Sequence, residues 1–503
     1  MSGRRQFRIS EVVQAVQQSD SNDSDDDDPL YENESDSDED GSVHEDSNNE
    51  ANNDDASSSD SDSGSPVRRR QRVTPQVPAA TSPQLMGRNG HIWQANAPAP
   101  GQAVAANILR QQRGLTAASR DSRFVLDCFK LFITEDMIQL IVRETNRRAR
   151  TTTREWNAGD NSNMHEWRDT DETEIYALVG LLVLAGVWRS SGESLDELWS
   201  SVDGRPIFRA TMSLTRFKEL LRFCRFDNQA TRPQRLAVDK FAPVRDFWEM
   251  FLANTPLMYK PGSDMTIDEQ LIATRGRCNF KQYIPSKPGK YGIKVFWICD
   301  STTSYPLKGE VYLGRQPGAA ANANNVKDLV KRLVRPWQNT GRNVTMDNYF
   351  TSTELATDLL AVRITIVGTM RKNRADIPPE MQADRQRVVQ STVFGFDRQL
   401  TLASYVQKRG KAVILLSSMH HNATIDETNN NKPDIILHYN NTKSGVDNLD
   451  HLTRLYTCKR KIKRWPMTIF FNIVDCAAVA AYVIWIENFQ TGTNVNDTRG
   501  VYF

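Results

Sequence analysis

The run from Asp264 to Asp300, DMTIDEQLIATRGRCNFKQYIPSKPGKYGIKVFWICD, constrains the fold most, because it asks for a strand, a long cationic loop and a second strand in that order. Met265 and Ile267 alternate with Thr266 and Asp268 ahead of Leu271, a period of two that predicts a strand presenting Asp268 on its polar side. The loop interleaves Arg275, Arg277, Lys281, Lys287 and Lys290 with Phe280, Tyr283 and Tyr291, a mixture suited to a phosphate backbone. The β-branched and aromatic residues of Ile293 to Ile298 then predict a return strand ending on Asp300. Taken alone, this pattern is equally that of a solvated strand end beside an ordinary charged loop.

Two later acidic segments change that balance. In RNVTMDNYFTS a strand-like Asn343 to Met346 delivers Asp347 just before Tyr349 and Phe350. In YNNTKSGVDNLD a helix starting near Gly445 carries Asp447 and Asp450, whose spacing of three puts both carboxylates on one face. Asp300 and Glu269 lie near these acids, and structural roles are expected for both.

These segments and the text between them, RGRCNFKQYIPSKPGKYGIKVFWICDS, YLGR, TMDNYFTS, ITIVGTMR, LASYVQKRGKAVILLSS, YNNTKSGVDNLD and KRWPMTIFFNIV, resemble piggyBac-type transposases across about Phe124 to Glu487. The resemblance implies an α/β fold with a ribonuclease H-like catalytic core, a mixed sheet flanked by helices, set in a mostly helical DNA-binding and dimerisation domain. It matches Asp268 and Asp347 to the first two catalytic acids, Asp447 to the third and Asp450 to an additional one. The activity implied is metal-dependent cut-and-paste transposition. Water frees a 3′-hydroxyl, which attacks the opposite strand to give a hairpin end, and joining follows at TTAA targets. The partners implied are transposon-end and target DNA and a second copy of the chain, with neither a small-molecule substrate nor a membrane. Such chemistry suits two magnesium ions, with manganese an alternative, about 3.5 to 4 Å apart and held by hard carboxylate oxygens.

Cations and polar groups near the acids are candidate DNA contacts: Arg275, Arg277, Lys287 and Lys290 in the loop, Asn348 beside Asp347, Arg371 and Arg374 after the IVGTM strand, and Lys461 and Arg464 in KRKIKRW. Trp465 is either a base-stacking aromatic or a packed ring before a helix starting with Pro466. Arg216, Lys218, Arg222 and Arg225 along RFKELLRFCRF are either DNA-facing or a solvated helix face.

Charge and cysteine usage bound the remaining classes. The formal net charge is +1, but residues 1–66 hold 20 acidic side chains and 3 arginines, a net of −17, leaving +18 on residues 67–503. An acidic tail that cannot bury enough apolar surface to order itself, joined to a basic body, is the expectation. Arg68, Arg69, Arg70 and Arg72 are either a nuclear-import signal or a plain charge run, and a nuclear location is expected. The six cysteines show no zinc-binding spacing, and none follows Cys476, where many members of the resembled family carry a cysteine-rich zinc module. No zinc is expected, and the thiols are expected to be reduced. Ile469 to Ile486 is apolar except for Asn472 and Asp475, and is expected as a buried core helix.

The resulting plan is a disordered acidic tail at 1–120, helical domain at 121–262, catalytic core at 263–370, a small β-rich insertion subdomain at 371–433, the last catalytic helix at 434–457 and a second helical part at 458–503. Within the helical part, Phe124 to Asn146 is expected as one helix. The function expected is transposition; the alternative is a domesticated, catalytically silent DNA-binding or chromatin protein derived from a transposase.

Overall fold

The computed structural model describes residues 84–98, 108–109, 111–159, 164–285, 287–314 and 325–492. The acidic run and the arginine cluster, expected within residues 1–72, lie outside them.

The first half is helical, as its 3.6-residue periodicity dictates. Helices α1 (Glu135–Ala158), α2 (Glu172–Val187), α3 (Leu214–Phe223) and α4 (Arg245–Met258) build it. The single helix expected from Phe124 breaks: Val125–Lys130 stops, and Thr134 adopts an extended conformation before α1 restarts at Glu135. Asp171 caps α2 by accepting from the Glu174 amide, and Ser213 caps α3 by accepting from the Arg216 amide, each offsetting an orphan donor of a first turn.

The second half is an eleven-stranded mixed sheet. Its strands in chain order are β1 (Gln84–Met86), β2 (Ile92–Gln94), β3 (Asp264–Ala273), β4 (Gln282–Tyr283), β5 (Tyr291–Asp300), β6 (Pro306–Val311), β7 (Asn343–Met346), β8 (Thr365–Thr369), β9 (Thr392–Asp397), β10 (Leu400–Lys408) and β11 (Lys411–Ser417). In space they run β1-β2-β9-β10-β11-β8-β7-β3-β5-β4, with β6 also on β5. Only β3–β7 and β7–β8 are parallel. Parallel neighbours need crossover connections. Helix α5 (Val326–Val334) lies between β6 and β7, and α6 (Thr353–Ala361) between β7 and β8. Helices α7 (Asp434–Thr442) and α8 (Gly445–Leu455) then pack on β3, and α9 (Trp465–Gly492) returns to the helical half. Central β5 is buried almost throughout, which is why its sequence reads as a continuous apolar run rather than an alternation.

Three expectations are corrected. The tail does not extend to residue 120, because β1 and β2 form a hairpin that joins the sheet edge through a Phe396–Gln94 pair. The strands of 371–433 are no separate subdomain: β11 pairs antiparallel with β8, so they extend the central sheet. Arg216 of α3 and Arg225, just past its end, face neither DNA nor solvent. Both are buried, Arg216 on Glu174 and Arg225 on the carbonyls of Arg222 and Cys224.

Helix α9 is long and apolar enough to cross a membrane by length and composition, yet 72% of its most apolar window is inside the protein. Asp475 explains how an acid sits there: its carboxylate accepts from the Cys458 amide and the Thr457 hydroxyl, both at 2.8 Å. All six cysteines are unpaired, five of them buried.

Candidate active site

Alternation along β3 puts Thr266, Asp268 and Gln270 on one face, and helices α7 and α8 are fastened across it. The Thr266 hydroxyl donates to the Thr442 carbonyl at 2.6 Å, the Gln270 amide donates to the Thr453 hydroxyl at 3.0 Å, and the Thr442 and Thr345 hydroxyls meet at 2.7 Å. Gly445 lets the first turn of α8 approach so closely: a Cβ there would stand 2.7 Å from the Thr266 hydroxyl and 3.2 Å from the Asp300 carbonyl. Asp447 lies in that turn and Asp450 in the next. On the neighbouring parallel strands Ile267 pairs with Met346, the last residue of β7, so Asp347 leaves the sheet beside Asp268, which stays within β3 opposite Trp297.

The charges are held at a cost. Burial pushes the Asp268 carboxyl up to about 7, helped by the charge of Asp447 and, less, those of Asp347 and Glu269, while the Glu269 amide hydrogen bond opposes the shift. Asp347 is raised by burial, against its hydrogen bond from the Tyr349 amide at 2.9 Å. Asp450 is also raised by burial, against the charges of Arg454 and Lys287. Asp447 is the exposed member, with Lys287 Nζ at 3.9 Å from its Oδ1. Neighbouring carboxylates that resist ionising together mark a place prepared for added positive charge.

That charge pattern and an all-oxygen donor set suit a hard divalent ion. Among the described residues no three His, Cys, Asp or Glu side chains converge on a single ion position. The fit is therefore to ions that each take one or two carboxylates and keep water, rather than to a closed cage.

Comparison with known proteins places the chain in a family. The Transposase IS4 family model matches residues 126–482. A cryo-EM structure of a piggyBac transposase synaptic complex with hairpin DNA superposes with a TM-score of 0.71 at 40% sequence identity, covering 76% of this chain and 78% of that one. The chain belongs to the IS4 transposase family, as a piggyBac-type transposase. Two human relatives, PiggyBac transposable element-derived proteins 2 and 3, are each 22% identical, over 69% and 74% of this chain; it spans 59% and 63% of their own lengths. Transposases of this family generally work with a divalent metal.

The transposase sequence suggested ten DNA contacts, and the structure places them unequally. Lys287 turns inward, Nζ 3.2 Å from the Glu269 carbonyl, and so belongs to the acid cluster. Lys290 closes the same loop in a left-handed conformation, φ 45°. Arg275 and Arg277 flank Gly276, whose backbone lies so close to the Lys463 carbonyl that the two basic loops form one surface. Asn348 is exposed beside Asp347, and Arg371 stands over the Tyr349 ring at 5.9 Å. Lys461 is exposed on the second basic loop.

Three candidates have structural employment instead. The Arg464 guanidinium donates to the carbonyls of Leu221, Arg222 and Cys224, satisfying the end of α3. Arg374 stands 3.4 Å from the buried Asp376 carboxylate. Trp465 stacks on Phe241 and meets Phe280 edge-on, which commits its ring to packing. Asp300 is structural, accepting from the Gly262, Thr302 and Thr303 amides.

Sequence reading missed the Lys294–Glu269 pair, 3.2 Å apart, which lies under Tyr349 and Phe296. It also missed Tyr439, whose hydroxyl is raised by burial and then by the charges of Asp347, Asp268 and Asp447. Lys294 could have been found as the one cation inside an apolar strand. Tyr439 gave no signal, because its neighbours are distant in sequence.

Proposed function

We propose that this chain cuts and joins DNA by transposition, on a ribonuclease H-like core in which Asp268, Asp347 and Asp447 are the catalytic carboxylates and Asp450 supports them. The observation that carries the reading is the gathering of like charges where β7 ends beside β3, with Asp268 and Asp347 largely buried under the first turns of α8 and Asp447 at the open edge. Asp268, Asp347, Asp447 and Asp450 would hold magnesium, or manganese, which when bound supplies an activated oxygen nucleophile and neutralises the leaving oxygen. The chain's own residues do the rest. The surface of Arg275, Arg277, Lys290 and Lys461 grips the phosphate backbone, Lys287 brings a cation to the edge of the acids, and Asn348 and Arg371 flank the strand entering beside Asp347. Transposon ends and TTAA targets are the proposed substrates, a homodimer the working form and the nucleus the place of action. The DNA of the related synaptic complex supports this assignment.

A second reading, a silent DNA-binding protein, draws support from the human relatives, which are named as transposable element-derived proteins. Nicking of a DNA hairpin by the purified chain in magnesium separates the two. Asp268→Asn and Asp347→Asn are expected to lower the rate by about 10³-fold, roughly 4 kcal/mol of barrier, with DNA binding retained. Equal inactivity of wild type and variants, with binding intact, would establish the silent protein.

A further inference from the structure

We infer that the β1–β2 hairpin is a positioning element for the DNA surface, a strap that sets where the Arg371–Asp376 loop stands; this rests on the transposase reading above. The loop connects β8 to the extension of the sheet and has no strand of its own. Its carbonyls at 371 and 374 are taken within the loop and by Ile377, the one at 372 by Gln382, and the other three by the hairpin. Arg88 Nη2 donates to the Asn373 carbonyl at 2.6 Å, the Asn89 amide to the Ala375 carbonyl at 3.1 Å and Trp93 Nε1 to the Asp376 carbonyl at 2.8 Å. A Cβ on Gly87 would lie 2.8 Å from the Ala375 carbonyl, so the hairpin turn is pressed flat on the loop. Trp93 is fully buried, and Gly395 of β9 leaves the room for its indole, since a Cβ there would stand 3.0 Å from the Trp93 Cβ.

The far side of the loop is tied to the acids. The Asp376 carboxylate accepts from the Thr353 hydroxyl at 2.8 Å, at the start of α6. Arg371 reaches over Tyr349, whose amide donates to Asp347. The hairpin, more than 280 positions upstream of the residue it holds, thereby decides where a cation stands beside the catalytic strand end. Displacing a positioning group by about 1 Å is enough to weaken the chemistry, and a loop freed of its partners regains the conformational entropy that opposes a fixed placement. Trp93, Asn89 and Arg88 are positioning residues in this scheme, since none meets the reacting atoms.

The test uses the full chain. Trp93→Phe keeps an aromatic ring in the hole and removes the N–H together with the rest of the five-membered ring, leaving a small cavity, and Trp93→Ala serves as the severe variant. For Trp93→Phe we expect an unchanged circular dichroism spectrum with a modestly lowered but still cooperative melt, trypsin cleavage after Arg371 and Arg374 several-fold faster without DNA at a temperature well below that melt, and affinity for a hairpin DNA lowered about three- to tenfold. The slope of log affinity against log salt should fall by about one contact. Arg371→Ala should add little to Trp93→Phe, because both remove the same contact. Wild-type protease resistance and salt slope in Trp93→Phe, or full additivity with Arg371→Ala, overturns the strap. The protease arm needs no DNA, so a chain that failed to bind or cut DNA would refute the transposase reading while still judging the strap.

Discussion

Carboxylates partly or wholly shielded from water occur in both halves of the molecule, and the ion-paired ones of the helical half, Glu174 and Asp239, are treated in the opposite way from the acids beside β3. In the helical half, burial alone would raise Glu174, but the hydrogen bonds and charge of Arg216, with Nη2 at 2.6 Å and Nε at 2.8 Å, outweigh it and hold the acid below its ordinary range. Asp239 is lowered in the same way by Arg245. At the sheet, Asp268, Asp347 and Asp450 are all raised, and the nearest cations stand off: Arg454 is 3.8 Å from Asp450, and Lys287 reaches only the exposed Asp447. The helical half uses its acids to brace the fold. On the sheet, Asp264 and Glu269 are likewise paired, with His438 and Lys294, and it is the group of Asp268, Asp347 and Asp450 that is left short of positive charge.

Breaking a helical pair should have the largest effect. Arg216→Ala leaves Glu174 buried without its two-pronged partner and is expected to cost about 3 kcal/mol, seen as a lower denaturant midpoint. Asp268→Asn should instead leave stability unchanged or raise it. If the two variants destabilise equally, the contrast between the halves fails.

The pH dependence should differ in sign. A folded-state carboxyl near 7 binds a proton that the unfolded chain has already released, so the part of stability due to Asp268 is present at low pH and lost as pH rises from about 4 to 7. Metal-free wild type should therefore lose on the order of 2 kcal/mol across that window, and Asp268→Asn should flatten part of the fall. The remainder belongs to Asp475, also pushed to about 7 by burial, and to Asp347 and Asp450, which burial raises as well. Glu174, being lowered, contributes stability that disappears only in stronger acid. Melting curves from about pH 2 to 8 on wild type, Asp268→Asn and Arg216→Ala separate the loss on the alkaline side from the Glu174 contribution lost in acid.

Magnesium should give the smallest change. A cation that needs ionised carboxylates binds more tightly as pH rises, so saturating magnesium should stabilise wild type by about 1–3 kcal/mol at pH 8 and by less at pH 6. Asp347→Asn should show little of it. Equal stabilisation of wild type and variant would move the metal away from these acids.

Much of the site was legible because it lies where local rules act. Alternation placed Asp268 on the polar side of β3, a strand end delivered Asp347, and helical spacing joined Asp447 to Asp450. What escaped depends on partners remote in the chain. The hairpin strands are three residues each, too short to show a period, and they exist because β9 and the carbonyls of Asn373, Ala375 and Asp376 receive them. The strands of 371–433 were recognised as strands, but only the β8–β11 pairing shows that they continue the main sheet. Arg464 and Trp465 looked like DNA contacts by charge and aromaticity, and the end of α3 and the Phe241 ring had prior claim on them. Lys287 shared its loop with four other basic residues, and nothing local told which would fold back over β3.

Helix α9 packs with the Val125–Lys130 helix, α2 and α4 although it begins at Trp465, 278 residues after α2 ends at Val187 and 207 after α4 ends at Met258. During synthesis at roughly 5–20 residues per second, the amino-terminal helices must wait tens of seconds with apolar flanks uncovered before their last neighbour emerges. A message cut short before Trp465 would thus yield a sticky fragment rather than a smaller working unit, and chaperones would be expected to hold the nascent polypeptide through that interval.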